Sequence, residues 1–193
     1  MSLVHRSDLI LGGVRSGKSR EALRMAAAMP RGSRGAFLAT AQAFDGDMEA
    51  WIARHRAERP AGWATLEEPY DVVAACKSLE GRVDVVVLDC VTLWVANLLL
   101  RGDGETSILA AADALADYLA ERRFSLIIVS NEVGAGVHPP TEVGLRFRDA
   151  LGGVNQRIAA AADRVRYMVA GLPMVIKDLR PPEPSRERPP EAP

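Results

Sequence analysis

The chain has 193 residues, enough for one domain with a full core and no more than that. Its 24 Lys and Arg nearly balance its 25 Asp and Glu, which argues against nucleic acid or an anionic membrane as a bulk partner. Two cysteines without metal-like spacing, Cys76 and Cys90, no apolar leader and no long apolar stretch lead to the expectation of a cytoplasmic protein without membrane insertion.

Residues 1–7 read as a loose lead-in, followed by a strand over 8–12. Gly12-Gly13-Val14-Arg15-Ser16-Gly17-Lys18-Ser19 then fits the phosphate-binding pattern G-x-x-x-x-G-K-[ST]. Gly12, Gly13 and Gly17 let successive amides converge on one anion, and Lys18 sets a compact charge on the outer phosphates. Ser19 offers a hydroxyl to Mg²⁺ and opens a helix over 18–29, whose apolar residues Ala22, Leu23, Met25, Ala26 and Met29 have helical spacing. Residues 36–40 are a second buried strand, running into Ala41-Gln42. Asp45, Gly46 and Asp47 form a turn or cap before a helix that stops at Pro60.

Residues 63–67 make a weak strand and 70–80 a helix. The run Val83 to Leu88 is the strongest strand signal: continuous apolar character suits a strand covered on both faces, and it ends on Asp89. Helices follow at 91–100 and 105–122, a strand at 126–130 ending in Asn131-Glu132, and a helix at 141–163. Segments 165–170 and 173–177 read as closing strands, as a hairpin around Gly171-Leu172-Pro173. Alternating strands and helices predict an α/β P-loop NTPase fold of the RecA-like kind, with a mainly parallel sheet flanked by helices. Residues 1–179 form one nucleotide-binding catalytic domain, and the proline-rich residues 180–193 a disordered tail. The P-loop, Thr40 to Gln42, Asp89 and Asn131-Glu132 all fall at strand carboxyl ends, where such folds place ligands.

Asp89 has the placement of a carboxylate that holds Mg²⁺, directly or through water. His55 lies late on its helix between Arg54 and Arg56, with Arg59 one turn on. Guanidinium groups around it would favour the neutral, nucleophilic imidazole and bind the phosphates it attacks; the bland alternative is a solvated basic face. Glu67 and Glu68 are adjacent carboxylates, and a Glu is a natural acceptor for the N–H donors of a guanine edge. Arg146, Arg148 and Arg157 are either solvated or hold an anionic group, and spacing does not choose between these.

Taken in order, Gly12 to Arg20, Ala39 to Gln42, Met48 through His55 to Arg59-Pro60, Trp63 with Glu67, Leu88 to Thr92, Asn97 to Leu99, Ser130 to Gly134 and Phe147-Arg148-Asp149…Gly153…Asn155-Gln156 resemble one family. It is the bifunctional adenosylcobinamide kinase / adenosylcobinamide-phosphate guanylyltransferase family of cobalamin biosynthesis, and the likeness runs from about residue 9 to 177. The resemblance implies two reactions, with ATP and GTP as nucleotide substrates and adenosylcobinamide and its phosphate as acceptors. An NTP phosphorylates the aminopropanol hydroxyl; GTP then gives GMP to a histidine, which passes it to the phosphorylated cobinamide. The guanylylated histidine falls on His55, with Lys18 as the other catalytic group. Nucleotide contacts fall on Gly12 to Ser19, Thr40, Ala41, Gln42, Arg56, Ala57, Glu58, Arg59, Glu67 and Asp89, and Mg²⁺ on Ser19 and Asp89. Family members similar to this chain form homotrimers. Val14 stands where the family commonly has Ala, at an unconstrained P-loop position; some members carry a second His where this chain has Arg54. A plain P-loop kinase for another hydroxyl substrate, or a nucleotide-dependent switch, would have no need of His55.

Overall fold

A computed structural model describes residues 5–43, 46–57 and 59–179, without the side chains of 47, 48, 51 and 52. The cap expected at Asp45, the nucleotide contact expected at Glu58 and the tail 180–193 lie outside the described residues. The elements are β1 (Ser7–Gly12), α1 (Lys18–Ala27), β2 (Gly35–Ala39), α2 (Gly46–Ala57), β3 (Ala64–Glu67), α3 (Val72–Leu79), β4 (Val85–Asp89), α4 (Val91–Arg101), α5 (Glu105–Glu121), β5 (Ser125–Val129), α6 (Glu142–Ala161), β6 (Arg164–Val169) and β7 (Leu172–Asp178). They build one seven-stranded sheet in the order β3-β2-β4-β5-β1-β6-β7, parallel throughout except for β7, which runs antiparallel to β6.

The continuous apolar strands are explained by cover on both faces. In β4, Val86 and Leu88 join a core with Val72 of α3, Trp94 and Leu98 of α4, Ile108 and Leu115 of α5, and Leu151 and Ile158 of α6. Val85 and Val87 point the other way, toward Ala22 and Ala26 of α1 with Ile10, Phe37, Ile127 and Val129. Among the described residues no helix is long and apolar enough to cross a membrane.

The structure moves some boundaries of the expected elements and bears out others. The lead-in is shorter, because Ser7 is already in β1 and its backbone N and Oγ both donate to the Asp163 carboxylate at 2.9 and 3.1 Å. The weak strand at 63–67 is real, as the edge strand β3; the Trp63 ring closes over Gly35, where any Cβ would come within 2.1 Å of it. The closing hairpin turns at Ala170-Gly171, both at positive φ (50° and 83°), and Leu172 and Pro173 already belong to β7.

The two rims of the sheet carry different groups. At the amino ends of the strands, Arg122 pairs with Asp163, which also holds Ser7, and Arg34 pairs with Asp84. The carboxyl ends carry the P-loop, Thr40, Asp89 and Asn131.

Candidate active site

The P-loop leaves β1 at Gly12 and enters α1 at Lys18. Gly12 has φ 151°, and a Cβ there would sit 2.6 Å from Ser16 Oγ and 2.7 Å from the Met168 carbonyl oxygen on β6, so only glycine fits. Gly17, at φ 99°, is the left-handed residue that opens α1. The β6–β7 turn braces the loop from outside: Gly171 N donates to Ser16 O at 2.9 Å. Lys18 is largely buried and its Nζ folds back to donate to Gly13 O at 2.6 Å. Burial lowers its pKa, while the negative charge of Asp89 acts to raise it. Ser16 Oγ is buried without a hydrogen-bond partner among the described residues.

A cleft of about 840 Å³ opens over this loop. Its wall includes residues 14–20, Arg54 and His55 from α2, Asp89 and Cys90 at the end of β4, and Asn131 after β5. His55 Nδ1 lies 3.9 Å from Asp89 Oδ2, both side chains being mostly buried. Burial pushes the Asp89 carboxyl upward, and the positive charges of Arg59 and Lys18 offset this only in part. Burial likewise pushes the Cys90 thiol up to about 12, so it faces the cleft as a neutral group. A second, small cavity behind His55 is shared by Ser19, Arg59 and Asp89.

The arginine cage expected around His55 is only partly there. Adjacent helix positions diverge by about 100°, so Arg56 turns away and pairs with Glu67 on β3. Arg59, one turn on, does return to the His55 side, with its guanidinium carbon 4.9 Å from the Phe37 ring centroid and Nη1 donating to Thr65 Oγ1 at 3.0 Å. The near ionic neighbour of the imidazole is a carboxylate.

Of the other expected contacts, Gly12 and Gly13 shape the loop from below, and the structure brings Val14 to Ser19 and Asp89 into the cleft with His55. Thr40, Ala41, Gln42, Arg56, Ala57 and Glu67 lie apart, along the carboxyl ends of β2 and β3 and the end of α2. Thr40 is fully buried: Oγ1 donates to Cys90 O at 2.7 Å and accepts from Cys90 N at 3.0 Å, so its side chain clamps β2 to the end of β4 instead of facing a ligand. Asn97 Nδ2 donates to Thr40 O at 2.7 Å and holds this clamp from α4. Gln42 Oε1 accepts from the Tyr70 hydroxyl at 3.3 Å. Sequence reasoning missed Ala170, Gly171 and Cys90 as cleft residues; only the glycine after a closing strand hinted at the first two. Asn131 is held by its backbone: N donates to Thr92 Oγ1 at 2.8 Å and O accepts from Asn155 Nδ2 at 3.0 Å.

Known proteins match this arrangement. A solved ATPase domain superposes with a TM-score of 0.57 at 12% identity, covering 94% of this chain and 80% of that one, and so shows a shared RecA-like P-loop fold. A "Bifunctional adenosylcobalamin biosynthesis protein CobP" of Pseudomonas aeruginosa is 47% identical over 170 residues, covering 88% of this chain and 96% of that protein. A "Bifunctional adenosylcobalamin biosynthesis protein CobU" of Escherichia coli is 35% identical over 181 residues, covering 88% and 98%. The family model for cobinamide kinase / cobinamide phosphate guanyltransferase matches residues 8–176, which reach into all seven strands and include every residue lining the cleft. The chain therefore belongs to the cobinamide kinase / cobinamide phosphate guanyltransferase family, the bifunctional enzymes of adenosylcobalamin biosynthesis.

Proposed function

We propose that this enzyme carries out both reactions in the one cleft, with His55 as the guanylylated nucleophile. The observation that carries the reading is the opening of the His55 imidazole into the same cleft as the P-loop. In the kinase step the amides of Gly12 to Ser19, the Ser16 hydroxyl and Lys18 bind the triphosphate of ATP or GTP, and the γ-phosphoryl group passes to the hydroxyl of adenosylcobinamide. In the second step an imidazole nitrogen of His55 attacks the α-phosphorus of GTP. The N–P bond forms as the bond to the β-phosphate oxygen breaks, and pyrophosphate departs with that electron pair. The terminal phosphate of adenosylcobinamide phosphate then attacks the same phosphorus, freeing His55 and giving adenosylcobinamide-GDP.

Lys18 and Arg59 supply positive charge along the triphosphate. Glu67, once released from Arg56, is an acceptor for a guanine edge, with Gln42 and the Ala41 and Ala57 backbone beside it. The cleft offers hard oxygen donors, the Ser19 hydroxyl and the Asp89 carboxylate, and this set fits Mg²⁺, which takes one or two protein oxygens together with phosphate oxygens. Bound there, the ion would neutralise charge on the phosphates. The resemblance to trimeric family members supports a homotrimer, and the chemistry and composition support a cytoplasmic location.

Incubation with Mg²⁺ and GTP labelled at the α-phosphate, followed by denaturing electrophoresis, tests the reading. The expected band is acid-labile and base-stable, as a phosphoramidate is, and absent in His55→Ala. No band, or one that survives His55→Ala, refutes the assignment and leaves the kinase step alone.

A further inference from the structure

We propose that adenosylcobinamide phosphate reaches the guanylylated enzyme from the flank of the P-loop opposite His55, where the Arg20 guanidinium takes its phosphate. The proposal rests on His55 as the guanylylated nucleophile and adds a binding site for the acceptor.

The chemistry fixes the direction of approach. Displacement at phosphorus is in line, so entering and leaving groups stand on opposite faces. Pyrophosphate therefore leaves from the face opposite His55, and the acceptor oxygen enters by that same face. Its bond to phosphorus forms as the N–P bond breaks, and the electron pair returns to the imidazole. The rim of the sheet shows what lies there. From β4 through β5 and β1 to β6, the strand ends present Asp89, Asn131, the P-loop and the Ala170-Gly171 turn, all on the wall of one cleft. His55 stands at the β4 end, where it shares its small cavity with Phe37, Val87 and Asp89. Across the P-loop from it lies the β6–β7 turn, with Arg20.

Contacts place Arg20 on that flank. A Cβ on Gly171 would come 2.7 Å from its Nη2, and one on Gly17 3.6 Å from it, so the guanidinium lies between the turn and the loop. Among the described residues no carboxylate pairs with Arg20, or with Arg15 on the same wall, whereas Arg24, one turn along α1, is held by Glu21. A phosphate monoester carries about −1.5 to −2 charges at pH 7, and here it must approach a phosphorus whose own oxygens are anionic. A guanidinium fork gives such an oxyanion two parallel N–H donors. In the kinase step the acceptor presents a neutral hydroxyl, with no phosphate for Arg20 to hold. The same flank leaves Val14, Val169 and Leu172 exposed, an apolar surface for the body of a large acceptor.

The test uses the full chain and separates the two halves of guanylyl transfer. The adduct is formed with Mg²⁺ and α-labelled GTP, freed of nucleotide by gel filtration, and mixed with adenosylcobinamide phosphate; loss of label from the protein is followed against acceptor concentration. Arg20→Met is expected to form the adduct within about twofold of the wild-type rate and to raise the half-saturating acceptor concentration about tenfold or more. The discharge rate at saturation should change little, and Arg20→Lys should fall between the two. The KM for adenosylcobinamide in the kinase reaction should shift less than the acceptor concentration does. Discharge of the Arg20→Met adduct with the wild-type concentration dependence overturns the proposal. So does adduct formation slowed as much as discharge, which would give Arg20 to GTP. If Arg20→Met forms no adduct, Leu172→Glu decides: a negative charge at this exposed position should raise the half-saturating concentration severalfold, and an unchanged value overturns the proposal. Failure of the underlying assignment looks different: no adduct in the wild-type enzyme, or one that persists in His55→Ala.

Discussion

Thr40→Val separates a structural from a ligand-binding role for the residue just after β2. The substitution keeps the shape and removes only Oγ1. Cys90 N–H then loses its acceptor at 3.0 Å in a buried setting, which costs about 1–3 kcal/mol. Cys90 O loses its donor at 2.7 Å but still accepts from Trp94 N at 3.1 Å, so that loss is smaller, about 0.5–1.5 kcal/mol. The sum is about 1.5–4.5 kcal/mol, a large share of the roughly 5–15 kcal/mol that holds a domain together. Urea unfolding followed by far-UV circular dichroism measures it, with Thr40→Ser as the control that retains the hydroxyl. Guanylylation should fall with it, since Asp89 and Cys90 are adjacent and the clamp fixes both. A Thr40→Val protein as stable as wild type, but with weakened GTP binding, would refute the clamp and return Thr40 to the nucleotide.

Two further outcomes follow from buried ionisable groups. Hydrogen bonding from Arg24 lowers the Glu21 carboxyl; for Asp163, hydrogen bonds from Ser7 and Arg122 outweigh the upward push of burial. Groups depressed in the folded state contribute stability above the ordinary carboxylate range and lose it as pH falls through their lowered values, so Asp163→Asn should cost about 2 kcal/mol at pH 7 and progressively less below about pH 4; a difference in denaturation midpoint unchanged between pH 7 and pH 3 would refute this. Burial pushes both Cys76 and Cys90 up to about 12, so neither should react with iodoacetamide in the native enzyme at about pH 8, while both react in urea; rapid native alkylation of Cys90, read by mass spectrometry, would contradict the neutral thiol in the cleft.

Sequence alone carried the frame well, for a physical reason. Strands covered on both faces must be continuously apolar, so β1, β4 and β5 were legible, and the P-loop announces itself by chemistry that few other residues can perform. The edge strand β3 was faint because its side chains are largely exposed and leave no burial pattern. The turn of the last hairpin was misplaced because Ala170, an ordinary residue, occupies a left-handed position that sequence would give to Gly or Asn. Local reading of α2 put too many arginines around His55, since neighbours in sequence are not neighbours on a helix face. Asp89 beside His55 was out of reach, because that contact exists only once β2 and β4 pair.

The segregation of the two rims bears on how such a chain can change over evolutionary time. Ties such as Arg34 with Asp84 and Arg122 with Asp163 lie at the amino ends of the parallel strands they join, and the reacting groups at the carboxyl ends. Substitutions at the first rim can tune melting temperature without a toll on turnover, and loops at the second can be rewritten for a new acceptor while the scaffold stays intact. Selection for robustness and selection for chemistry thus act on different addresses of the same sheet.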